Sequence, residues 1–320
     1  MKIKVMNSTS IRLSIFLLFS ALSLSQPASS QILYYSQVDR LPLLVNPATA
    51  GNSDYGVRLL TGYKNFRDPH NLSNTIQYFS LDRRLMNDGK NMIGAGISGF
   101  NRDLNQSLHI AINYKRNIKE TASSIHRISI ALEPGIINSK LIFTSASGTS
   151  SNINPLRINI NAGILWQTIF NSGNEFVLGV SSQQLNRIGE TIDFDLENKR
   201  PVSYTLHLSY SYWINTSLKL IPLLLYSQQG FSNKFIVGTS IRKFLGDSID
   251  NKYFQLGLSA KWKSFKAIIP VLSLNLDRFN FGLSIDIPYP RRFTQPRSIK
   301  SSIELTAGYL FGTKSTATKK

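Results

Sequence analysis

The chain has 320 residues, with 36 Lys and Arg against 18 Asp and Glu, a formal net charge of +18, and no cysteine. The missing thiols exclude a disulfide framework, a thiolate metal centre, an iron–sulfur cluster and a cysteine nucleophile. Only 17% of residues are charged, against roughly 25% in ordinary soluble domains, yet no run after residue 30 is apolar for the ~20 residues of a membrane helix.

Lys2, Lys4 and Arg12 precede an apolar run from Leu13 to Leu24, and the small residues Ala28, Ser29 and Ser30 follow. A basic head, a short greasy centre and small residues form the layout of a secretory signal peptide, with cleavage predicted after Ser30. The apolar run is too short to cross a ~30 Å hydrocarbon core as an anchor. Export without a helical anchor leaves a soluble secreted protein or an outer-membrane barrel.

Residues 31–55 form a periplasmic or entry segment before the barrel, able to plug or brace it from below. Pro47 fixes its own φ and pushes Asn46 out of the helical region, which predicts a turn. Gly51 can adopt positive φ and turn the chain toward its first strand.

The rest of the chain alternates. Leu156, Ile158, Ile160, Ala162, Ile164 and Trp166 interleave with Arg157, Asn159, Asn161, Gly163 and Leu165. Leu108, Ile110, Ile112 and Tyr114 interleave with His109, Ala111, Asn113 and Lys115; Phe279, Phe281, Leu283, Ile285 and Ile287 interleave with Asn280, Gly282, Ser284 and Asp286. Successive side chains of a strand point to opposite faces, so each segment has one greasy and one mostly polar face. Fourteen strands follow: 56–66, 74–84, 92–102, 106–117, 125–133, 156–167, 174–184, 202–214, 216–227, 233–245, 252–263, 265–277, 279–287 and 301–312. Their length suits a tilted membrane crossing of about 9–11 residues better than the usual five or six of soluble sheets.

The expected fold is all-β: a transmembrane antiparallel barrel over 56–312, with a basic tail at 313–320. The three longest connections, 134–155, 185–201 and 288–300, all fall at one end, as external loops of outer-membrane barrels do. One-residue turns at Asn215, Ser264 and Arg278 are too short, so strand ends there must shift. A secreted β-sandwich would also alternate, with shorter strands. Tyr63, Tyr78, Phe100, Tyr114, Tyr226, Phe244, Tyr253 and Tyr309 lie near strand ends and are expected in the interfacial girdles.

Tyr35-Ser36-Gln37, Pro42 and Asn46-Pro47-Ala48 with Gly51 closely resemble the opening of the PorP/SprF family, outer-membrane proteins of the Bacteroidota type IX secretion system. The resemblance extends through Arg58, Tyr63-Lys64-Asn65-Phe66 and the Gly94 and Gly96 strand, and covers essentially the whole chain after the leader. Where the family often has Gln-Trp after the first-strand basic residue, this chain has Asn65-Phe66, which keeps an aromatic. The resemblance implies a role in secretion, surface attachment or gliding motility. It also implies a secreted surface partner with a C-terminal sorting domain, or contact with periplasmic secretion-ring components, beside outer-membrane lipids.

The residues themselves add little chemistry. Arg157, Lys219, Arg242, Lys261 and Lys263 fall on the expected lumen face or near strand ends, fitting an anion-selective lumen or docking of an acidic partner. Arg291, Arg292, Arg297 and Lys300 lie in one external loop and are the candidate partner-facing cluster. Nucleic acid is not an expected partner of an exported barrel. His207 and Ser209 share a strand face, as an outer-membrane phospholipase places its base and nucleophile, but here they point inward with no third residue to orient them. His70, His109 and His126 lack metal-ligand spacing, and Asp193, Asp195 and Glu197 lack the glycine and ligand order of a calcium loop. The chain is therefore expected to be no enzyme and to need no cofactor. A small-anion diffusion porin is the alternative function, with a lipid hydrolase behind it.

Overall fold

The computed structural model describes residues 35–312 apart from 54–55, 68–72, 88–90, 103–104, 122, 140, 145–149, 154–155, 187–188, 194–195, 200, 231, 246–251, 264–266 and 290–300. The predicted leader and basic tail lie outside the described residues, as do Arg291, Arg292, Arg297, Lys300 and His70.

The strands in chain order are β1 (Val57–Arg67), β2 (Ser73–Asn87), β3 (Asn91–Arg102), β4 (Asn105–Glu120), β5 (Ser124–Ser139), β6 (Leu141–Thr144), β7 (Ser150–Ile153), β8 (Leu156–Phe170) and β9 (Glu175–Gln183). They continue with β10 (Gly189–Asp193), β11 (Leu196–Lys199), β12 (Ser203–Asn215), β13 (Leu218–Gln229), β14 (Ser232–Phe244), β15 (Tyr253–Lys263), β16 (Ala267–Leu276), β17 (Phe279–Pro288) and β18 (Ser302–Phe311). Fourteen of them close antiparallel into one barrel, with β1 paired to β18 from Val57↔Phe311 to Asn65↔Ile303. Closure leaves no sheet edge unpaired, which a strand-built membrane crossing requires. Among the described residues no helix is long and apolar enough to cross a membrane.

All fourteen strands expected from alternation are barrel strands, and the other four form two separate hairpins, β6–β7 and β10–β11. Those hairpins sit in connections 140–155 and 184–202, which together with 289–301 leave the same end of the barrel. This end is the far rim; β1 begins at the near rim, with connections such as 171–174 and 216–217.

The burial pattern is inverted relative to a soluble sheet. On β4, Leu108, Ile110, Ile112 and Tyr114 point outward and are 38–57% exposed, whereas His109, Ala111, Asn113 and Lys115 point inward and are at most 9% exposed. The same reversal holds for Phe279, Phe281 and Leu283 against Gly282, Ser284 and Asp286 on β17. An apolar surface this continuous is solvated by acyl chains, while polar side chains line the interior.

Several expectations need correction. The strand expected at 125–133 runs on to Ser139. Pro134 is accommodated because pairing with β4 lapses between Leu132↔Ile112 and Gly135↔His109, while Pro134↔Ile160 holds on the other side. Pro222 and Pro270 likewise sit where one neighbouring ladder is interrupted and the other is intact. A residue without an N–H is tolerated where no partner awaits that N–H. Turns 216–217 and 277–278 replace the impossible one-residue turns at Asn215 and Arg278. Among the expected girdle aromatics, Tyr63 and Tyr114 are exposed on the outer face, but Tyr78, Phe244 and Tyr253 are buried toward the lumen. Their parity along the strand, rather than nearness to its end, decides which way they point.

Residues 35–53 enter the barrel. They form one helical turn at Pro42–Val45 and a 3-10 turn at Pro47–Thr49. Around them the lumen's apolar residues gather into patches: Tyr35 and Leu41 with Leu60, Ile76 and Tyr78; Leu43 and Ala50 with Ala111; Val45 with Leu225 and Ile236; Ala48 with Ala131 and Leu165. These walls lie on opposite sides of the barrel, so the segment spans the lumen as a plug.

Candidate functional site

The plug is fixed at its start by the motif Tyr35-Ser36-Gln37. The Tyr35 phenol donates toward the carbonyls of Gly62 at 2.9 Å and Ile76 at 3.1 Å. Burial, with the Glu304 carboxylate close by, pushes its pKa up, so it remains a neutral donor. Glu304 on β18 accepts from the backbone N–H groups of Ser36 at 2.7 Å and Gln37 at 2.8 Å. The Gln37 amide adds a bond to the Glu304 carbonyl and accepts from Thr306. Ser36 Oγ donates to Asp286 on β17 at 3.0 Å and accepts from Lys64 Nζ on β1 at 2.8 Å.

Lys64 also contacts both carboxylates, Asp286 at 2.9 Å and Glu304 at 3.2 Å, with its side chain 4% exposed. Two buried acids share one ammonium: both Glu304 oxygens and Asp286 Oδ2 accept from plug donors, whereas Asp286 Oδ1 has no hydrogen-bond partner, so charge-assisted bonds to the plug hold the cluster together. From the opposite side, Lys234 Nζ on β14 donates to the Tyr35 carbonyl at 2.7 Å.

The middle of the plug depends on Asn46, which is fully buried. Its Oδ1 accepts from Ala48 N–H at 2.9 Å, capping the 3-10 turn, while its Nδ2 donates to the Ile164 and Val180 carbonyls on β8 and β9. Only a primary amide supplies that acceptor and those donors together. Pro42 opens the helical turn and Pro47 the 3-10 turn, where a missing N–H costs nothing. Ala48 is 0% exposed and packs against Ala131 and Leu165.

At the end of the plug Gly51 has φ +69° and donates its N–H to Asp82 Oδ2 at 2.8 Å. Asp82 on β2 is also gripped by Arg58 on β1, through Nε at 2.8 Å and Nη2 at 3.0 Å. Asn113 donates to the Ala50 carbonyl, Ser181 to Val45 and Gln183 to Leu44.

The wall is flattened to receive the plug. A Cβ at Gly94 would lie 2.3 Å from the Ala50 carbonyl oxygen, one at Gly163 2.0 Å from Asn46 Oδ1, and one at Gly282 2.2 Å from Gln37 Oε1. All eight motif residues singled out in the sequence, Tyr35, Ser36, Gln37, Pro42, Asn46, Pro47, Ala48 and Gly51, thus belong to one inserted element. Of its receivers, Arg58, Lys64 and Gly94 lie in the stretches that resemble the family, with no receiving role read from them, whereas Asp82, Lys234, Asp286, Glu304, Gly163 and Gly282 were not singled out as receivers. The available signal was a charge or glycine at an inward-facing position of an otherwise apolar-and-serine alternation.

Other sequence candidates do not join this site. His207 and Ser209 face the lumen, as expected, with the His207 ring over Gly179, and His207 Nδ1 has no hydrogen-bond partner to orient it. His126 bonds Ser124 and Thr168, and His109 lies over Gly135. Arg157, Lys219, Arg242 and Lys261 lie on the inner face; the side chains of Lys263, Asp193 and Glu197, and all of Asp195, fall outside the described residues.

Residues 28–309 match the family model described as type IX secretion system membrane protein PorP/SprF. No curated protein matches the chain. Among solved structures it is similar to the Pseudomonas putida toluene transporter TodX, at TM-score 0.50 and 10% identity over 90% of this chain and 96% of that one. It is also similar to CdiB from Acinetobacter baumannii, at TM-score 0.45 and 10% identity over 80% of this chain and 60% of that one. At such identity the likeness to TodX concerns the fold alone, an outer-membrane-type barrel.

Proposed function

Because the chain belongs to the PorP/SprF family of type IX secretion system membrane proteins, we propose that it is a non-enzymatic outer-membrane component of that system. In this reading it supports secretion or cell-surface attachment of one partner protein with a C-terminal sorting domain, in the setting of gliding motility where the cell glides. The near rim faces the periplasm and the far rim, with its two hairpins, faces outward, as short turns and long loops are arranged in such barrels.

The single observation that carries the reading is the plug's anchorage. A segment held by Lys64, Asp286 and Glu304 on one wall and by Asn46 on the wall opposite supports a braced scaffold rather than an unobstructed pore. Deletion of the gene should remove one surface protein from the cell while uptake of small anions stays unchanged. Loss of anion permeability with every surface protein retained would instead establish the diffusion porin, which the inward Lys219, Arg242 and Lys261 favour.

A further inference from the structure

At the near rim three cations, two on the inner wall and one on the plug, lie on an aromatic shelf. Trp213, Phe244 and Tyr253 stack in sequence, with ring centroids 5.0 Å and then 5.6 Å apart. Lys219 Nζ lies 4.4 Å above the Trp213 ring, Arg242 Cζ lies 4.1 Å above the Tyr253 ring, and Arg40 Cζ of the plug lies 6.0 Å from that same ring. Lys219 and Arg242 are direct cross-strand partners on β13 and β14. Like charges placed so are destabilising unless an anion joins them.

Neither cation is in an ion pair among the described residues. Lys219 donates to the Gly173 carbonyl and Arg242 Nε to the Gln255 amide oxygen. Arg40 is 8% exposed at its side chain, its nearest carboxylate is Asp39 at 3.9 Å, and its Nε and Nη2 have no hydrogen-bond partner. Asp39 is shared between Arg40 and the Gln255 amide, and Glu175 accepts from Gln167, so no acid is in an ion pair with Lys219 or Arg242 among the described residues. The plug's own anchors use none of these cations.

We propose that this shelf is a docking site for a carboxylate-bearing peptide segment that enters the lumen from the near rim. Cations neutralise the carboxylates, and the half-buried Trp213 ring, backed by the buried Phe244 and Tyr253, offers apolar surface to the adjoining aliphatic carbons, which a bare inorganic anion lacks. Lipid headgroups are kept out by the wall, because all six residues face inward. The proposal goes beyond the secretion role and stands whether or not that role is correct, since it concerns equilibrium binding to the isolated protein.

The test is fluorescence of the full chain in detergent micelles, with the Trp213→Phe variant subtracted to isolate the Trp213 signal. Titration with terminally blocked tetraglutamate should give a saturable change that weakens with added salt. Tetralysine should give none, and inorganic phosphate should bind at least about tenfold more weakly. The Lys219→Ala/Arg242→Ala double variant should lose about tenfold or more in affinity, whereas Lys243→Ala, on the outer face, should not. Heat-dependent mobility on denaturing gels confirms that each variant retains the barrel. Absence of tetraglutamate binding, equal binding of phosphate, or an unaffected double variant would each overturn the proposal; equal phosphate binding would reassign the shelf to simple anions.

Discussion

Gly94 on β3 presses against the Ala50 carbonyl so closely that a Cβ at position 94 would sit 2.3 Å from that oxygen. Both sides of the contact are backbone, so no rotamer change can relieve the clash. Gly94→Val should therefore expel the end of the plug while β3 keeps its pairings to β2 and β4. Limited proteolysis should then cleave within 35–53 at least about tenfold faster, since local opening scales exponentially with lost stability. Gly163→Ala should weaken the middle of the plug instead, because its Cβ displaces the Asn46 amide from its cap and wall bonds.

Lys64 is the only cation in an ion pair with Asp286 and Glu304 among the described residues. Lys64→Met removes the ammonium that the two buried acids share, and breaking a buried pair costs about 3–5 kcal/mol, less what the nearby Lys234 and Lys261 charges offset. Urea unfolding of the micelle-bound barrel should show that loss, with part of it recovered when Glu304→Gln is added.

Asn46→Ala removes a cap and two wall anchors together. Loss of the cap costs about 1 kcal/mol, and each unsatisfied buried carbonyl adds about 1–3 kcal/mol. Asn46→Asp should recover the cap but not the anchors to Ile164 and Val180. Hydrogen exchange at the Ala48 amide should separate the two variants.

Leu132 is 59% exposed on the outer face of β5. If acyl chains solvate that face, Leu132→Arg should destabilise the barrel in lipid by up to about 2–4 kcal/mol at the bilayer midplane. A sandwich surface in water would tolerate the same change within about 0.5 kcal/mol. Unfolding in bilayers against detergent micelles reads the difference.

The barrel was legible because its signal is local. Leu108 to Lys115 or Phe279 to Ile287 state which face meets lipid within a few residues, whatever lies elsewhere in the chain. Strand ends were less legible: Pro134 reads as a terminator, but whether its missing N–H matters depends on pairing with Ile112 and His109, far along another strand. Tyr78, Phe244 and Tyr253 face the lumen because parity along the strand, not nearness to a rim, sets the direction of a side chain. The plug's sequence stood out, yet its receivers did not. Ser36 meets Glu304 and Asp286 across more than two hundred residues of chain, and no periodicity carries information over that span.

The most direct measurement uses the absence of native cysteine. Ala48→Cys on the plug, combined with Ala131→Cys on the lumen wall, puts two thiols into one buried cluster, where a disulfide needs Cα atoms within about 7 Å. Oxidation in intact outer membranes should join them, giving a shifted band on nonreducing gels, whereas Ala48→Cys with the outward-facing Ala162→Cys should stay unlinked. A folded barrel in which the Ala48–Ala131 pair fails to link, or in which both pairs link equally, would contradict the plugged lumen on which the account depends.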